Sequence, residues 1–234
     1  MTASPHASMV DPVERATSWS TGLDGLHLTG VPLAPEIRLH LASDATLFWA
    51  RMEAEAGRAL SAPFWATAWL GGQALARFVL DHPDVVAGLR VLDLAAGSGV
   101  AGIAAALADA AVVTANDIDP CAGAAIEMNA RANGVEIIVS CAPMLEQDVD
   151  VDVVLAGDVF YNGSMAATVM RCLERASRRG ARVLVGDPDR TDLPRARLET
   201  LATYRTGLAA TLVDAEREWV HVLQLEGRGP AIVH

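Results

Sequence analysis

The amino-acid sequence predicts an α/β fold, a doubly wound and mostly parallel seven-stranded sheet with a small N-terminal lobe in front of it. Three observations support this. After residue 85, short apolar runs typical of buried strands alternate with segments of helical periodicity, as in a parallel sheet with helices on both faces. The 234 residues suffice for one large core. The longest apolar stretches are interrupted by Asp and Gly, so no membrane span is predicted.

Two segments precede the sheet. Residues 1–30 are rich in Ser, Thr, Gly and Pro without helix or strand periodicity, so we expect a flexible leader. Residues 31–84 form the lobe. In it "EIRLHL" alternates at strand period, "DATLFWARMEAEAG" has helical periodicity, and "QALARFVLDHP" predicts a short amphipathic helix that stops at the His-Pro pair. Residues 85–234 form the core domain.

The core domain alternates strands and helices. Strands are predicted near Val91–Leu94, Val112–Asn116, Ile137–Ser140, Val151–Ala156, Arg182–Gly186, Thr211–Asp214 and Trp219–Leu225. Helices are predicted near Val100–Ala108, Ala122–Asn133, Ala166–Arg178 and Leu193–Thr203. Ligands of such a sheet bind beyond the carboxyl ends of the strands, where the strand order reverses. The residues that follow each strand are therefore the candidates for function.

The charge of the chain restricts its partners. The formal net charge is −11, and all 18 basic residues are arginine. We expect no nucleic-acid partner, because binding one requires a basic surface against its phosphates; a basic partner suits this surface better. The three cysteines are widely spaced without a CxxC pair, so no metal site is predicted. The N-terminus lacks a basic leader and an apolar signal core, which favours a cytoplasmic protein.

The first core strand runs into the glycine-rich stretch "VLDLAAGSGVAG". Gly97 and Gly99, with Ser98 between them, allow a ligand to approach the backbone, and the helix that follows points its amide groups at this place. Asp93 favours a cationic ligand here and repels a pyrophosphate. The pattern Asp-x-x-x-Gly-x-Gly is similar to the first motif of class I S-adenosylmethionine-dependent methyltransferases. Ala95 replaces a common glycine of that motif, which is tolerated if its φ is negative.

The second strand ends in "ANDIDP". Asp117 is placed to accept hydrogen bonds from the two hydroxyls of a ribose. Asp119, before a proline, is predicted to cap the next helix. The preceding "GSGVAG" also satisfies G-x-G-x-x-G, with Asp117 about twenty residues later, so a nicotinamide-dependent dehydrogenase stays an alternative.

Two further strand ends, "AGDVFYNG" and "VGDPDR", carry acids and aromatic residues over the expected site. The first differs from the Asn-Pro-Pro-Tyr motif with which class I enzymes methylate nucleobases and glutamine, so those substrates are disfavoured. The residues concerned are Gly157, Asp158, Phe160, Tyr161, Asp187 and Asp189.

Six stretches in this order resemble the electron transfer flavoprotein beta-subunit lysine methyltransferases, a class I group among the seven-strand protein lysine methyltransferases with a Rossmann-like fold. They are "PEIRLHLAS", "PFWATAWLGGQALARFVLDHPDVV", "VLDLAAGSG", "ANDIDP", "GDVFY" and "RVLVGDPDR". The resemblance extends from about Pro32 to Arg190. It implies S-adenosyl-L-methionine as cofactor, S-adenosyl-L-homocysteine as product, and a protein substrate with an accessible lysine, the beta subunit of electron transfer flavoprotein.

The resemblance also implies roles by position. Trp69 would pack on the adenosine end of the cofactor, and Gly97 and Gly99 would line its methionine part. Asp117 would hold the ribose, and Gly157 would border the cofactor. Asp158, Phe160 and Tyr161 fall on the family's Asp-x-aromatic-aromatic motif beside the target lysine. The chain departs from the family at Leu70, which replaces a usual proline, and at Asn162, where an acid is common. For Trp65, a place in the core is as plausible as ligand contact.

Methyl transfer to lysine needs a neutral amine, but the free side chain has a pKa near ~10.4. Aromatic rings disfavour the ammonium by desolvation, while Asp158 favours it by charge, so Asp158 is expected to position the lysine and first attract it as a cation. Proton loss to water, with Tyr161 or Asp187 nearby, completes the activation. The alternatives are a methyltransferase of a ribosomal protein or small amine, the dehydrogenase, and a binding module without turnover. The sequence does not determine the oligomeric state.

Overall fold

The computed structural model describes residues 25–207 and 214–226. The strands are β1 Leu26–Gly30, β2 Arg38–Ala42, β3 Arg90–Leu94, β4 Val112–Asn116, β5 Ile138–Ser140, β6 Val153–Gly157, β7 Arg182–Asp187, β8 Leu198–Arg205 and β9 Trp219–Leu225. The helices are α1 Ala45–Ala56, α2 Leu70–Asp81, α3 Val100–Leu107, α4 Pro120–Ala132 and α5 Gly163–Arg178. Short 3-10 turns lie at Phe64–Ala66, Pro83–Val85 and Arg195–Arg197.

The main sheet has the strand order β5–β4–β3–β6–β7–β9–β8. Strands β3 to β7 are parallel, and β9 runs antiparallel to both of its neighbours. This confirms the predicted doubly wound, mostly parallel seven-stranded sheet. The order reverses at β3, because β4 and β5 lie on one side of it and β6 and β7 on the other. The loops after β3, β4, β6 and β7 therefore meet at one edge, where ligands of such sheets bind.

Helices cover both faces of the sheet. On one face α2 and α3 contribute Leu75 and Ile103 to a core that includes Leu155 of β6, and on the other α5 contributes Leu173. From β2 to β7 the elements begin and end within three residues of their predicted bounds. None of the helices in the described ranges is long and apolar enough to cross a membrane.

An antiparallel hairpin of β1 and β2 lies outside the main sheet. The prediction of an unstructured leader up to residue 30 is wrong for β1; residues 1–24 lie outside the described residues. The β1 sequence "LHLTG" does alternate apolar and polar residues at strand period, so a signal for this largely exposed strand is present in the sequence. The hairpin docks on α4, where Asn129 Oδ1 accepts from His40 N at 2.8 Å and Asn133 Nδ2 donates to Arg38 O at 2.7 Å.

The C-terminal part of the sheet differs from the prediction. Where a helix was predicted near Leu193–Thr203, the chain forms a 3-10 turn and then β8, which pairs with β9 through a register shift between Thr200 and Ala202. Pairing with β9 supplies hydrogen-bond partners for the backbone of β8 in its extended form. This outweighs the weak helical pattern of a largely exposed edge segment. The strand predicted near Thr211–Asp214 lies outside the described residues, except for Asp214, which is in a turn.

Candidate active site

The glycine-rich loop joins β3 to α3 at the edge where the strand order reverses. Gly97 and Gly99 have φ of +52° and +80°, in the left-handed region that favours glycine. Ala95 has φ of +54°, so the condition under which alanine would replace the glycine without strain is not met. Its side chain is exposed, and the strained backbone costs about 1–2 kcal/mol relative to the right-handed region.

Asp117 follows β4 and lies directly against this loop. Its Oδ2 accepts from Gly97 N at 2.9 Å, and its Oδ1 accepts from Asp119 N at 3.0 Å. Burial raises the pKa of Asp117 above its usual value, and the two backbone amides oppose that rise. The predicted convergence of the acid and the glycine loop is therefore present. Asp119 caps α4 as expected, since its Oδ1 accepts from Cys121 N at 2.9 Å.

Asp93, at the end of β3, is buried beneath the loop. Its Oδ2 accepts from Gly102 N at 2.8 Å, in the first turn of α3. Burial, assisted by the charge of Asp117, raises the pKa of Asp93 to about 7. The carboxylate of Asp93 thus already accepts from one of the amides that would bind a pyrophosphate at this helix N-terminus. Contact of Asp93 with a cationic ligand stays a prediction.

Ser98, within the loop, and Trp65, beside it, are both buried and pack against the protein itself. Ser98 is buried, and its carbonyl oxygen accepts from Asn129 Nδ2 at 2.9 Å. Because Asn129 also binds the backbone of β2, it links the hairpin to the loop. Trp65 is buried and packs edge-on against Phe48 with 5.8 Å between ring centroids, which makes it a core aromatic residue.

The N-terminus of α2 crosses the ends of β6 and β7 at backbone contact. A Cβ built on Gly157 would lie 2.7 Å from Gly72 N, and one on Gly71 would lie 2.1 Å from Gly186 O. No other residue type fits these places without a shift of the backbone. Gly157, predicted to border the cofactor, therefore also allows α2 to reach the site. Leu70, the departure from the usual proline, is the fully buried first residue of α2.

Asp158 directly follows β6 with φ of +56°, and its carboxylate is occupied by the protein itself. Its Oδ2 accepts from Gly71 N at 2.6 Å and Gly72 N at 3.1 Å, and its Oδ1 accepts from Arg190 Nη2 at 2.6 Å. Burial raises the pKa of Asp158 and the Arg190 charge opposes that rise. Strain of this kind persists only where surrounding contacts hold it, and here they are the first turn of α2 and one guanidinium.

Arg190 lies among three acids. Besides Asp158, its guanidinium pairs with Asp214 at 3.3 Å, and its backbone N donates to Asp187 Oδ1 at 2.7 Å. Asp187 is fully buried, its Oδ2 has no hydrogen-bond partner among the described residues, and burial raises its pKa to about 7. Asp189 points elsewhere, because its carboxylate contacts His221 Nε2 at 3.1 Å.

Three aromatic side chains form a partly exposed cluster beside this group. Phe64, half exposed, lies between Trp69 and Tyr161, with ring centroids at 6.0 and 5.6 Å. The Arg190 guanidinium lies over the Trp69 ring at 5.8 Å. We call Phe64, Trp69 and Tyr161 the aromatic cluster. Phe160, expected beside the target lysine, is instead fully buried in the core against α5, so that prediction is wrong.

Local sequence pattern did not assign a role to several residues of the site. Phe64 takes the exposed place expected of Phe160: it packs on the exposed Tyr161 from another element, whereas Phe160 is buried. Arg190 and Asp214 complete the buried ion pairs. Arg190 ends the stretch "GDPDR", and a basic residue among acids at a strand end is a signal that the sequence does contain. Asn162, at another departure from the family, caps α5 by accepting from Ser164 N at 3.0 Å.

The arrangement suits a ligand with two vicinal hydroxyls and a positive charge. Asp117 offers acceptors beside an open glycine loop, and the acid side chains nearby favour a cation. The capped N-terminus of α3 and its carboxylate disfavour a pyrophosphate. The aromatic cluster offers an apolar place open to solvent. Among the described residues no group of His, Cys, Asp and Glu side chains is arranged to hold a metal ion.

The chain is similar to one family model and, over a longer stretch, to several named proteins. A family model described as ribosomal protein L11 methyltransferase matches residues 66–163. Proteins named electron transfer flavoprotein beta subunit lysine methyltransferase are more extensively similar. The one from Homo sapiens is 43% identical over 162 residues, 68% of this chain and 61% of that protein. The one from Xenopus laevis is 42% identical over 165 residues, 69% of this chain and 66% of that protein.

A Caenorhabditis elegans homolog of these proteins is 34% identical over 191 residues, 74% of this chain and 77% of that protein. For the human and frog relatives, by contrast, the match covers less than two thirds of their own length. Among solved structures, Trm5b from Pyrococcus abyssi has a TM-score of 0.50 with 16% identity, covering 86% of this chain and 55% of its own. This last similarity concerns the fold alone.

Proposed function

The chain belongs to the family of electron transfer flavoprotein beta subunit lysine methyltransferases, and from this premise we propose that it methylates lysine side chains of that subunit with S-adenosyl-L-methionine. The single observation that carries the proposal furthest is the meeting, at one sheet edge, of the Asp117–glycine-loop contact and the aromatic cluster beside Asp158. One part suits a nucleoside, and the other suits an extended apolar side chain with a basic end.

Each part has a role in the proposed reaction. Gly97 and Gly99 let the methionine portion approach the backbone, and Asp117 holds the ribose hydroxyls. Trp69, expected against the adenosine end, packs on Phe64 and Arg190, so we assign it to the place where the two substrates meet. S-adenosyl-L-methionine supplies a methyl group on a positively charged sulfur. The protein then has to align the amine with that methyl group, which accounts for about 7–11 kcal/mol of barrier reduction in well-oriented reactions.

The aromatic cluster prepares the amine. Phe64 and Tyr161 are half exposed and can pack on the methylenes of a lysine that enters from solvent. Removing water from the lysine disfavours its ammonium form, because a charged group loses more hydration than a neutral one. The net charge of −11 suits approach of a cationic segment of the substrate protein.

Intact-mass spectrometry tests the proposal. Purified electron transfer flavoprotein beta subunit, incubated with the enzyme and S-adenosyl-L-methionine, is expected to gain mass in steps of one methyl group. A Tyr161→Ala variant is expected to slow this gain, while Leu107→Ala, a half-exposed position at the far end of α3, serves as a control. An unmodified subunit in the presence of active, cofactor-binding enzyme contradicts the proposed substrate.

The matching family model supports one other candidate, a methyltransferase of a ribosomal protein. Ribosomal protein L11 in the same assay distinguishes the two, and labelled cofactor with a cell extract would detect a small amine. NADH is expected to leave the melting temperature unchanged, whereas S-adenosyl-L-homocysteine raises it by mass action. A cytoplasmic location stays a prediction for cell fractionation.

A further inference from the structure

Arg190 is held as a nearly buried cation next to the proposed methylation site. Its side chain is 13% exposed, and its two terminal nitrogens contact Asp158 Oδ1 at 2.6 Å and Asp214 Oδ1 at 3.3 Å. Its backbone N binds Asp187, so the residue is anchored at both ends. The guanidinium is therefore a fixed part of the site rather than a mobile surface charge.

This arrangement changes the role expected of Asp158. A carboxylate beside the aromatic cluster would attract a lysine ammonium, but both oxygens of Asp158 already accept hydrogen bonds, one of them from Arg190. A cation thus already occupies the position that an incoming ammonium would take. The Nε of Arg190 is also buried without a hydrogen-bond partner in the described part of the chain. It adds a donor, and an ammonium group has only donors of its own.

The side chains between solvent and this cation are aromatic. Tyr161 and Phe64 are exposed, Phe64 contacts Trp69, and the Trp69 ring lies against the guanidinium. A lysine that follows the aromatic cluster inward loses water and then meets a positive charge. Both effects act against its protonated form.

We propose that Arg190 neutralises Asp158 as a built-in cation, so that the target lysine reacts as a neutral amine instead of being trapped as an ammonium ion. This rests on the proposed function. The nitrogen lone pair forms the N–CH3 bond as the S–CH3 bond breaks and its electron pair stays on sulfur, which becomes neutral. The methylated nitrogen carries the positive charge until it releases a proton to solvent.

The groups that face Arg190 set the pH dependence. They are Asp158 after β6, Asp187 on β7, and Asp214 before β9, with Asp189 near Asp187. On the other side of Asp189 lie His221 and the Arg217 guanidinium, which donates to the Asp189 carbonyl. Arg195 Nε also contacts Asp189 Oδ1, at 3.6 Å. Removing Arg190 leaves Asp158, Asp187 and Asp214 without the cation that they share. The ammonium form of the lysine is then stabilised, and a higher pH is needed to obtain the neutral amine.

Methylation rates of purified electron transfer flavoprotein beta subunit between pH 7 and 10 test the inference. In Arg190→Gln we expect the acidic limb of kcat/KM to move up by about one pH unit, with a roughly tenfold deficit at pH 7 that shrinks towards pH 10. Calorimetric binding of the subunit, with S-adenosyl-L-homocysteine present, is expected to be unchanged or tighter at pH 7. Arg190→Lys keeps the limb near its wild-type position.

Matched variants separate charge from stability. Arg77→Gln removes another arginine that is paired with two acids, Glu36 and Asp81, and should leave the pH profile unchanged. If Arg190→Gln does not fold, the double variant Arg190→Gln/Asp158→Asn removes both charges together, and its limb is expected near that of the wild type. The inference is overturned if kcat/KM of Arg190→Gln is lowered by the same factor at every pH. It is also overturned if the acidic limb of the double variant moves up by as much as one pH unit. Wild-type enzyme that binds S-adenosyl-L-homocysteine but leaves the subunit unmodified overturns the proposed function itself.

Discussion

Gly71 and Gly186 lie so close together that a methyl group on Gly71 would sit 2.1 Å from the Gly186 carbonyl oxygen. The contact joins the first turn of α2 to the end of β7, and it brings two amides of that turn to Asp158. The position of the candidate lysine site therefore depends on a crossing of two backbones that has no room for a side chain.

Gly71→Ala is expected to destabilise the protein by about 3 kcal/mol or more, because the atoms that must move belong to the backbone. Urea unfolding measures the loss. Gly30→Ala is the control, since a Cβ there would make only ordinary contact at 3.8 Å and should change stability by less than about 0.5 kcal/mol. Equal stability of both variants would contradict the packing described.

Asp158→Asn tests the ion pair beneath the site. Asn keeps a side-chain oxygen for the α2 amides and tolerates a positive φ, but it removes the charge opposite Arg190. We expect a loss of about 2–4 kcal/mol in unfolding free energy, and a fall in methylation because the unpaired Arg190 and the α2 turn are no longer held in place. Affinity for S-adenosyl-L-homocysteine should change less than tenfold. Asp150→Asn, which removes an exposed partner of Arg90, should change neither. Methylation of the Asp158→Asn variant at the wild-type rate would show that the ion pair with Arg190 does not hold the site in place.

Ala95→Gly is expected to stabilise the protein. Ala95 adopts φ of +54° with an exposed side chain, so glycine relieves strain at the loss of little packing. The gain is about 0.5–1 kcal/mol after the greater entropy of glycine in the unfolded chain is included. A rise of the urea midpoint with an unchanged slope is the readout. Asp109→Gly, at φ of +61° on the surface, should behave similarly. A lower midpoint for Ala95→Gly would show that the strain is absent in solution.

Asp117→Asn is expected to weaken cofactor binding. The carboxylate lies against Gly97 and supplies acceptors for two hydroxyls, while Asn offers one oxygen and a donor group. Loss of a hydrogen bond to a charged group corresponds to about a 10- to 100-fold rise in the Kd for S-adenosyl-L-homocysteine. Calorimetry measures it, with circular dichroism to show that the variant is folded. An unchanged Kd would place the ribose elsewhere.

Asp93→Asn tests a pH effect on stability. The folded protein raises the pKa of Asp93 to about 7, whereas the unfolded chain ionises near ~3.9, so the folded state binds more protons between these values. This contribution stabilises the wild type at low pH and is lost as the pH rises from about 4 to 7. The free energy of unfolding of the variant should therefore rise, relative to that of the wild type, by on the order of 1 kcal/mol per pH unit in this range.

Urea unfolding of the wild type and Asp93→Asn at pH 4.5, 5.5 and 6.5 provides the measurement. Asn can still accept the hydrogen bond from Gly102 N, so the comparison isolates the charge. A constant difference between the two proteins across this range would mean that Asp93 ionises normally in the folded state.

Local pattern in the sequence determined the strands β3 to β7, the helices between them, the glycine loop and the position of Asp117. Strand and helix periodicity is a property of neighbouring residues, and parallel strands bring their carboxyl ends to one edge. Any acid that follows such a strand is therefore predicted near the site without knowledge of the packing. The same rule located Asp158 and Asp187, although it did not indicate what they contact.

Tertiary structure alone decided those contacts. Asp158 binds Gly71 across 87 residues and Arg190 across 32, and Phe64 reaches Tyr161 from another element. Phe160 turned inward and β8 formed a strand because burial and strand pairing overrode local preference. Such contacts depend on how distant segments share space, and neither periodicity nor spacing encodes that. The charge next to the proposed lysine site became visible only when the chain was folded.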